Sequence, residues 1–249
     1  MDRKVALITG SAKGIGRAIA LELSKNNYDI VINYLNSKDE AFDLRDYIVN
    51  TYGVRCIAIG ADVSKEDEVN KMFLEIEKEF GRVDALINNA GIDLSNLFHL
   101  KNANEFRKTL DVNVVGAYNC AICASKLMLK KEYGRIINIS STNGVNTYYP
   151  MSFDYDVSKA ALNALTHDLA LQFAPYINVN TILAGFIGTE NELDGYNEEF
   201  LKEECEKILV KRYGKPEEVA YLVKFLLSDE ANYINNTLIR IDGGQIGSY

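Results

Sequence analysis

The stretch VALITGSAKGIG, residues 5–16, joins a short apolar run to a glycine-rich turn and the start of an amphipathic segment. Residues 5–9 are aliphatic or β-branched, which favours a buried strand. Gly10, Gly14 and Gly16 favour a tight turn that passes directly into a helix. Strand, turn and helix in this order form the first half of a βαβ unit.

Six further apolar runs continue this alternation, at 30–34, 54–59, 83–88, 135–140, 177–183 and 237–241. Amphipathic stretches of helical length lie at 14–26, 38–51, 65–80, 104–131, 153–174 and 216–228. Strands that alternate with helices form right-handed βαβ units, and uniformly apolar strands fit a sheet covered on both faces. We therefore predict a single α/β domain over residues 1–249, with a Rossmann-type doubly wound parallel sheet of about seven strands.

The composition is that of an ordinary globular protein, with 47% hydrophobic and 25% charged residues. A formal net charge of -8 argues against a nucleic-acid-binding surface, which is usually basic. No uninterrupted apolar run approaches the roughly 20 residues of a membrane helix. The first residues, MDRKVALITG, lack the apolar core of a signal peptide. We therefore expect a cytoplasmic protein that binds neither nucleic acid nor a membrane.

The cysteines and histidines do not indicate a metal or disulfide site. Four cysteines in a chain of 249 residues do not suggest a disulfide framework. Cys120 and Cys123 fall in the middle of a predicted helix, not at its start, so we interpret them as structural. His99 and His167 are the only histidines, too few for a typical metal cluster. We predict no metal.

The glycine turn has the chemistry of a phosphate site. Gly10 permits the sharp turn, Gly14 lets a pyrophosphate approach the backbone, and Gly16 lets the helix pack closely on the strand. The helix N-terminus presents N–H groups and a positive dipole to phosphates. The alternative is a glycine-rich connection without a ligand, but strand and helix flank the turn as a dinucleotide site requires. The predicted dinucleotide contacts here are Gly10, Ser11, Lys13, Gly14, Ile15 and Gly16.

Two Tyr-x-x-x-Lys patterns occur, and their positions separate them. Tyr155 and Lys159 lie one helical turn apart at the start of a predicted helix, where the ammonium would lower the pKa of the phenol. They follow a pair of serines at the end of the fifth strand, where a hydroxyl can hold a substrate oxygen. Tyr34 and Lys38 also match, but Tyr34 ends the second strand, where a nucleotide ribose would lie.

Eight short motifs stand in the order of a known family: TGSAKGIG (9–16), ADV (61–63), NNAG (88–91), NVVG (113–116), INISS (137–141), YDVSK (155–159), AGFIGT (184–189) and YGKPEEVA (213–220). Each is modestly specific, whereas eight in order are highly specific. From about residue 4 to residue 244 the chain resembles the short-chain dehydrogenase/reductase family, with the style of its 3-oxoacyl-[acyl-carrier-protein] reductases.

The resemblance implies a catalytic set. Ser141 would orient a carbonyl, and Tyr155 would donate or accept the proton. Lys159 would hold the nicotinamide ribose and tune Tyr155, and Asn113 would anchor a water for a proton relay. The interval from Ser141 to Tyr155 is one residue longer than the commonest spacing, which leaves Ser140 as an alternative. Alignment through GRIINIS favours Ser141.

The resemblance also implies cofactor contacts beyond the first turn. They are Tyr34, Leu35, Asn36, Asp62, Val63, Asn89, Ala90, Gly91, Tyr155, Lys159, Ile187 and Thr189. Asp62 and Val63 would flank the adenine, and Thr189 would contact the nicotinamide carboxamide. For Asp62 and Asn113 the alternative is a capping role.

The end of the second strand bears on the choice of cofactor. An NAD enzyme usually carries an acidic residue there that binds the ribose 2′-hydroxyl and repels a 2′-phosphate. Tyr34 and Leu35 occupy this place. Lys13 could reach a 2′-phosphate, and residues 36–38 could supply further donors. We predict a modest preference for NADP(H), with NAD(H) possible.

The expected function is hydride transfer between a nicotinamide and a carbonyl or secondary alcohol, and more specifically reduction of a 3-oxoacyl thioester. Sugar, polyol or hydroxysteroid dehydrogenation is the alternative. A catalytically silent dinucleotide-sensing protein is the non-enzyme alternative, and the complete catalytic set argues against it. Lys130 and Lys131 could receive an acyl carrier protein, but Glu132 follows them and the predicted lid is acidic, which weakens that interpretation.

Two expectations concern surfaces. The charged segment near 189–212, including Glu192 and Glu204, is either a solvated helix face or, as the family implies, a mobile lid over the substrate. The family also implies a homotetramer formed by the helices predicted at 104–131 and 153–174 and by the C-terminal strand. The apolar residues expected to remain uncovered on those helices are Val114, Ala117, Ala121, Ala160, Leu165 and Leu169.

Overall fold

The computed structural model describes residues 3–146 and 149–246, without the side chains of Asn191 and Glu192, so Glu192 of the predicted lid lies outside the described side chains. Its strands are β1 (Val5–Ile8), β2 (Asp29–Tyr34), β3 (Cys56–Gly60), β4 (Ala85–Asn88), β5 (Gly134–Ser141), β6 (Ile177–Ala184) and β7 (Leu238–Ile241). They form one sheet in the order β3-β2-β1-β4-β5-β6-β7, and all neighbours are parallel. The predicted doubly wound sheet is confirmed.

The six predicted amphipathic stretches coincide with helices, and two further short helices lie in the charged segment 189–212. The helices are α1 (Gly14–Lys25), α2 (Lys38–Tyr52), α3 (Glu66–Phe80), α4 (Ala103–Leu110), α5 (Gly116–Leu129), α6 (Phe153–Phe173), α7 (Glu190–Asp194), α8 (Glu198–Glu206) and α9 (Pro216–Leu226). Strand order reverses between β1 and β4, so the carboxyl ends of these two strands open a crevice where parallel sheets bind ligands.

Both faces of the sheet are covered. Ala6 and Ile8 of β1 point into a cluster with α1, α2 and α9, whereas Val5 and Leu7 point into a second cluster with α3, α5 and α6. The four side chains are at most 2% exposed. Because successive strand residues face opposite sides, an apolar run without alternation requires this double cover.

The helix predicted over 104–131 contains a π turn. α4 and α5 are continuous through Asp111–Val115, which has π-helical hydrogen bonding and includes the buried Asn113. Within the described part of the chain, only the stretch Ala103–Leu129 is long and apolar enough to cross a membrane by composition. Most of its apolar window is buried inside the molecule, as in the core helix of a soluble protein.

The apolar helix residues predicted to remain uncovered have mixed outcomes. Ala117, Ala121 and Leu169 are buried in the chain's own core, so that part of the prediction was wrong. Ala160 is exposed, as predicted, and Val114 and Leu165 are partly exposed. The large apolar side chains exposed on the π turn, α5 and α6 are Val115, Tyr118, Leu129, Val157 and Leu171.

Candidate active site

The turn after β1 requires glycine at three positions. Gly10 and Gly14 have φ of +60° and +55°, a region that residues with a side chain rarely adopt. A Cβ at Gly16 would lie 2.6 Å from Nδ2 of Asn89 and 2.7 Å from the carbonyl oxygen of Gly10. The turn therefore brings bare backbone to the N-terminus of α1, and this cradle fits the pyrophosphate of a dinucleotide.

Asn89 and Ala90 lock the loop after β4 onto this turn. The backbone N–H groups of both residues donate to Oγ1 of Thr9, each at 3.0 Å. Nδ2 of Asn89 also donates to the carbonyls of Thr9 and Gly10, at 2.9 and 3.0 Å. The segment predicted to line the cleft is therefore built onto the phosphate turn.

Sequence reasoning missed two supports of the turn, Thr9 and Asn33. Oδ1 of Asn33 accepts the N–H of Gly10 at 3.2 Å, and its Nδ2 donates to the carbonyl of Ala61 at 3.0 Å. Asn33 thus joins the loops that follow β1 and β3. An amide within the apolar run IVINY was the available signal, because a buried polar side chain needs partners.

Ser11 lies beneath the turn and does not face the cleft. It is fully buried, its hydroxyl donates to the carbonyl of Ile8 at 2.8 Å, and its N–H donates to the carbonyl of Asn33 at 3.0 Å. Direct contact between Ser11 and a cofactor was therefore a wrong prediction. The glycines on either side form the accessible backbone.

A cleft of about 490 Å³ opens at the carboxyl ends of the central strands. The predicted residues that line it are Ile15, Asn89, Gly91, Ser141, Tyr155, Lys159, Ile187 and Thr189. The residues predicted around the adenine lie outside this enclosed part, along the same sheet edge. The cleft therefore brings together three of the predicted catalytic residues, Ser141, Tyr155 and Lys159, and the nicotinamide side of the predicted cofactor site, whereas Asn113 is buried and does not line the cleft.

Lys159 is almost fully buried behind Tyr155, near the start of α6. The side chain is 4% exposed, and its Nζ donates to the carbonyl of Ile139 at 2.8 Å. The same Nζ lies 5.3 Å from the centre of the Tyr155 ring. Burial lowers the pKa of Lys159 to about 8. At neutral pH it remains a cation, which favours the phenolate of Tyr155 over the phenol.

The two serines at the end of β5 have different surroundings. Oγ of Ser140 donates to the carbonyl of Lys159 at 3.2 Å, which fastens β5 to α6. Oγ of Ser141 lies 3.1 Å from Oδ1 of Asn143 and accepts the N–H of Asn143 at 3.2 Å. The hydroxyl of Ser140 is thus hydrogen-bonded to a helix carbonyl, whereas that of Ser141 is hydrogen-bonded to the side chain of Asn143 at the cleft.

Asn113 connects three parts of the site. Its Oδ1 accepts the N–H of Ile92 at 2.8 Å, and its Nδ2 donates to the carbonyl of Ile92 at 2.9 Å and to Oγ of Ser158 at 2.9 Å. Both ends of the side chain are therefore engaged. A water held by Asn113 would bind its backbone or the second lone pair of its Oδ1.

The adenine side is more open. Leu35 is 58% exposed, and the ring of Tyr34 packs edge-on against Phe42 of α2. Asp62 accepts hydrogen bonds from the N–H and the hydroxyl of Ser64 at 2.9 and 2.7 Å, so the capping role considered for it is present. Asn36 is exposed, whereas Val63 is buried.

The loop after β6 reaches back over the phosphate turn. The N–H of Thr189 donates to the carbonyl of Ile187 at 2.8 Å, and that of Gly188 donates to the carbonyl of Gly214 at 2.9 Å. A Cβ at Gly14 would lie 3.4 Å from Cγ2 of Thr189. Thr189 therefore lies close to Gly14, in the backbone that is predicted to hold the pyrophosphate.

Lys13 lies directly before the first residue of α1. It forms an ion pair that the sequence did not predict. Its Nζ lies 2.6 Å from Oε1 of Glu40, in the first turn of α2. The hydrogen bond from Lys13 holds the pKa of the Glu40 carboxyl below its usual value. The cation predicted to attract a 2′-phosphate is thus already paired with a carboxylate.

Comparison with known proteins gives consistent matches along almost the whole chain. A family model described as enoyl-(acyl carrier protein) reductase matches residues 10–245. The 3-oxoacyl-[acyl-carrier-protein] reductase FabG of Staphylococcus epidermidis is 37% identical over 242 residues, which cover 97% of this chain and 98% of the relative. Glucose 1-dehydrogenase 2 of Bacillus subtilis is 34% identical and covers 97% of this chain and 94% of its own.

Solved structures agree with the sequence matches. YwfH, described as an NADPH-dependent reductase involved in bacilysin biosynthesis, superposes with a TM-score of 0.93 at 31% identity over 100% of both chains. A short-chain dehydrogenase/reductase of Serratia marcescens, solved as a double mutant, gives a TM-score of 0.91 at 30% identity over 98% of both chains. The chain belongs to the short-chain dehydrogenase/reductase family, and it is an oxidoreductase that uses a nicotinamide dinucleotide to act on a carbonyl or alcohol group.

Proposed function

We propose that this protein reduces the ketone of a 3-oxoacyl thioester with NADPH as its preferred cofactor. The observation that carries the proposal is that Ser141, Tyr155 and Lys159 line one cleft, which begins at the glycine turn. The relatives named as 3-oxoacyl reductases support the substrate class, since they are 37% identical over nearly the full chain.

The roles of the side chains follow from their positions. A bound nicotinamide supplies the hydride to the ketone carbon. Ser141 donates a hydrogen bond to the ketone oxygen, and Tyr155 delivers the proton to that oxygen as it becomes an alcohol. Lys159 stabilises the phenolate left on Tyr155 and holds the nicotinamide ribose. Asn113 binds a water molecule, and this water returns a proton to the site.

A sugar or polyol dehydrogenase is the second candidate. The cleft is lined by the carboxylates Asp93 and Glu204, which can accept hydrogen bonds from hydroxyl groups. The relative named glucose 1-dehydrogenase 2 supports the same interpretation. The carboxylates would be less useful to the apolar acyl chain of a thioester.

A substrate screen tests these alternatives. Purified protein is assayed with NADPH and NADH against acetoacetyl-CoA, and with NADP⁺ and NAD⁺ against aldose sugars, polyols and hydroxysteroids. The proposal expects the highest kcat/KM with acetoacetyl-CoA. A higher value with a sugar or polyol would favour the second candidate. Cofactor binding without turnover of any of these would favour a dinucleotide-sensing protein.

Docking of an acyl carrier protein at Lys130 and Lys131 is a separate part of the proposal. Nζ of Lys130 lies 2.9 Å from Oε1 of Glu77, so one of the two predicted cations is already paired. A surface ion pair of this kind exchanges readily, because exposed pairs contribute only about 0–1 kcal/mol. Comparing kcat/KM for acetoacetyl groups on CoA and on the carrier protein measures the contribution of docking.

The choice of cofactor is predicted from Lys13 and Glu40. The wild-type ratio of kcat/KM for NADPH over NADH is expected to exceed one only modestly, because Lys13 must leave Glu40 to meet the 2′-phosphate. Lys13→Ala should lower this ratio, and Glu40→Gln should raise it, each by about twofold to fivefold. Initial rates with both cofactors measure the ratio.

Lys25→Ala provides the control, since it removes a lysine from the far end of α1. A wild-type ratio below one, or an unchanged ratio in Lys13→Ala, would contradict the predicted NADPH preference. An unchanged ratio in Glu40→Gln alone would show that the carboxylate does not compete with the phosphate.

We also propose a homotetramer and a substrate lid. Val115, Tyr118 and Leu129 on one helix, and Val157 and Leu171 on α6, give the two long helices exposed apolar surface for self-association. Sedimentation equilibrium at micromolar concentration is expected to give four times the chain mass of 27.9 kDa, and a monomer would refute the assembly.

The lid proposal concerns α7 and α8, which follow β6. Tyr196, Phe200 and Glu204 of this segment line the cleft, so its inner side faces the proposed substrate. Many enzymes close such a segment over a bound substrate.

The proposed location of the protein is the cytoplasm.

A further inference from the structure

A chain of hydrogen bonds runs from Ser141 through Asn143, which also lines the cleft, to Asp156. Oγ of Ser141 donates to Oδ1 of Asn143 at 3.1 Å. Nδ2 of Asn143 donates in turn to Oδ1 of Asp156 at 2.7 Å. The three side chains therefore form one continuous line from the cleft into α6.

Asp156 is a fixed end for this line. Asp156 directly follows Tyr155 in the chain. It is buried, with 7% of its surface exposed. Its second oxygen, Oδ2, accepts the backbone N–H of Tyr149 at 3.2 Å, and its own N–H donates to the carbonyl of Ser152 at 2.9 Å. Both carboxylate oxygens are thus held, so the carboxylate cannot turn without breaking a bond.

The charge of Asp156 decides which way the Asn143 amide points. A carboxylate accepts hydrogen bonds but does not donate them, so it selects the NH₂ end of the amide. The carbonyl end, Oδ1, must then face Ser141. Because the N–H of Asn143 also donates to Oγ of Ser141 at 3.2 Å, Asn143 holds the hydroxyl oxygen from two directions.

We propose that Asp156 and Asn143 are positioning residues, which hold the oxygen of Ser141 at the cleft. When a ketone binds, the single hydroxyl proton of Ser141 turns from Oδ1 of Asn143 to the ketone oxygen, while the N–H of Asn143 continues to donate to Oγ of Ser141. The inference rests on the proposed reduction of a ketone. Asp156 acts on the position of Ser141 through its hydrogen bond to Asn143. The charge of Asp156 matters only because it orients the side-chain amide of Asn143. A small displacement of a group that holds the reacting atom can cost a large factor in rate.

A rival role for Asp156 is electrostatic. Its carboxylate lies near Asp93 and Asp154, and burial raises its pKa above the usual value for an aspartate. A negative charge beside Tyr155 would oppose formation of the phenolate. Loss of that charge would then move the pH dependence of the reaction, whereas loss of the hydrogen bond alone would not.

A double-mutant cycle between Asp156 and Ser141 tests the proposal, with acetoacetyl-CoA and NADPH as the probes. Asp156→Ala is expected to lower kcat roughly 10- to 100-fold while the Kd for NADPH is unchanged. In a Ser141→Ala background the same substitution should cost less than about twofold, because its target is already absent. An equal loss in both backgrounds would overturn the proposal.

Asp156→Asn separates hydrogen bonding from charge. Its amide has one acceptor where the carboxylate has two, so its oxygen can accept from Asn143 only if its NH₂ group faces the N–H of Tyr149. Part of the kcat lost in Asp156→Ala should therefore return, with the pH profile of the wild type. If the two substitutions are equally damaging and shift the pH profile, the role is electrostatic and the proposal is wrong. An Asp156→Ala variant with unchanged kcat would also overturn it.

Asp168→Ala is the matched control, because Asp168 is an exposed aspartate on the same helix. Thermal unfolding of every variant identifies loss of folding, and Asp156→Asn supplies the test should Asp156→Ala not fold. Wild-type protein without any ketone turnover would overturn the proposed function and this inference together. Wild-type turnover with no effect at Asp156 would overturn this inference alone.

Discussion

Tyr155→Phe is expected to lower kcat for ketone reduction by about 10²–10⁴-fold while the Kd for NADPH stays close to the wild-type value. The substitution removes only the hydroxyl. The ring remains beside Lys159, whose ammonium is held independently by the carbonyl of Ile139. The proposed proton donor is thus lost while the walls of the cleft are kept.

Two measurements check this result: initial rates with acetoacetyl-CoA, and a fluorescence titration of NADPH without substrate. Tyr233→Phe is the control, because Tyr233 is fully exposed. Activity of Tyr155→Phe near that of the wild type would show that another group supplies the proton. A large increase in the Kd for NADPH would show that the hydroxyl serves binding more than chemistry.

The fold could be predicted from the sequence because its signals are local and repeated. Runs such as 30–34 and 177–183 contain only strand-forming or apolar residues with an occasional amide, and their β-branched residues favour strands. The π turn at Asp111–Val115 could not be predicted in the same way. One additional residue in a helical turn leaves hydrophobic periodicity almost unchanged, so the pattern predicts a continuous helix over 104–131.

The site was predicted unevenly for a physical reason. Tyr155 and Lys159 are close because one helical turn separates them, and this distance can be read from the sequence. Asn143 and Asp156 meet only through the turn after β5, and Lys13 meets Glu40 only because α1 and α2 begin beside each other. Contacts between loops depend on backbone geometry that composition and spacing do not encode.

Burial also decided cases that a motif leaves open. Ser11 belongs to the glycine turn by sequence, yet its hydroxyl points inward to the carbonyl of Ile8. Ser140 and Ser141 are adjacent, but they face different partners because successive strand residues point to opposite faces. A motif identifies the segment, whereas the direction of each side chain comes from the fold around it.

Lys159→Met is expected to lower kcat/KM by about 10- to 100-fold and to raise the Kd for NADPH, because in the proposed mechanism one ammonium serves both Tyr155 and the ribose. In the wild type, reduction should slow as pH rises through about 8, where Lys159 loses its proton. This decrease in rate at high pH should be absent from the pH profile of Lys159→Met. Lys126→Met, at an exposed position of α5, is the control.

The same substitution should not destabilise the protein at neutral pH. Burial lowers the pKa of Lys159 from 10.5 to about 8, which corresponds to roughly 3 kcal/mol of cost for keeping its charge below that pH. Removing the charge relieves this cost and loses one hydrogen bond to Ile139, worth about 1 kcal/mol. Lys159→Met is therefore expected to be slightly more stable than the wild type at pH 7.

The direction of the pH effect follows from proton binding. Between pH 8 and 10.5 the unfolded chain keeps the proton of Lys159 and the folded chain has lost it. The unfolding free energy of the wild type should therefore rise with pH across this window relative to that of Lys159→Met. Denaturant unfolding at about pH 7 and about pH 9.5 measures the difference. If Lys159→Met is several kcal/mol less stable than the wild type at pH 7, the buried ammonium stabilises the fold. That result would contradict the expectation that the charge of Lys159 lowers the stability of the protein.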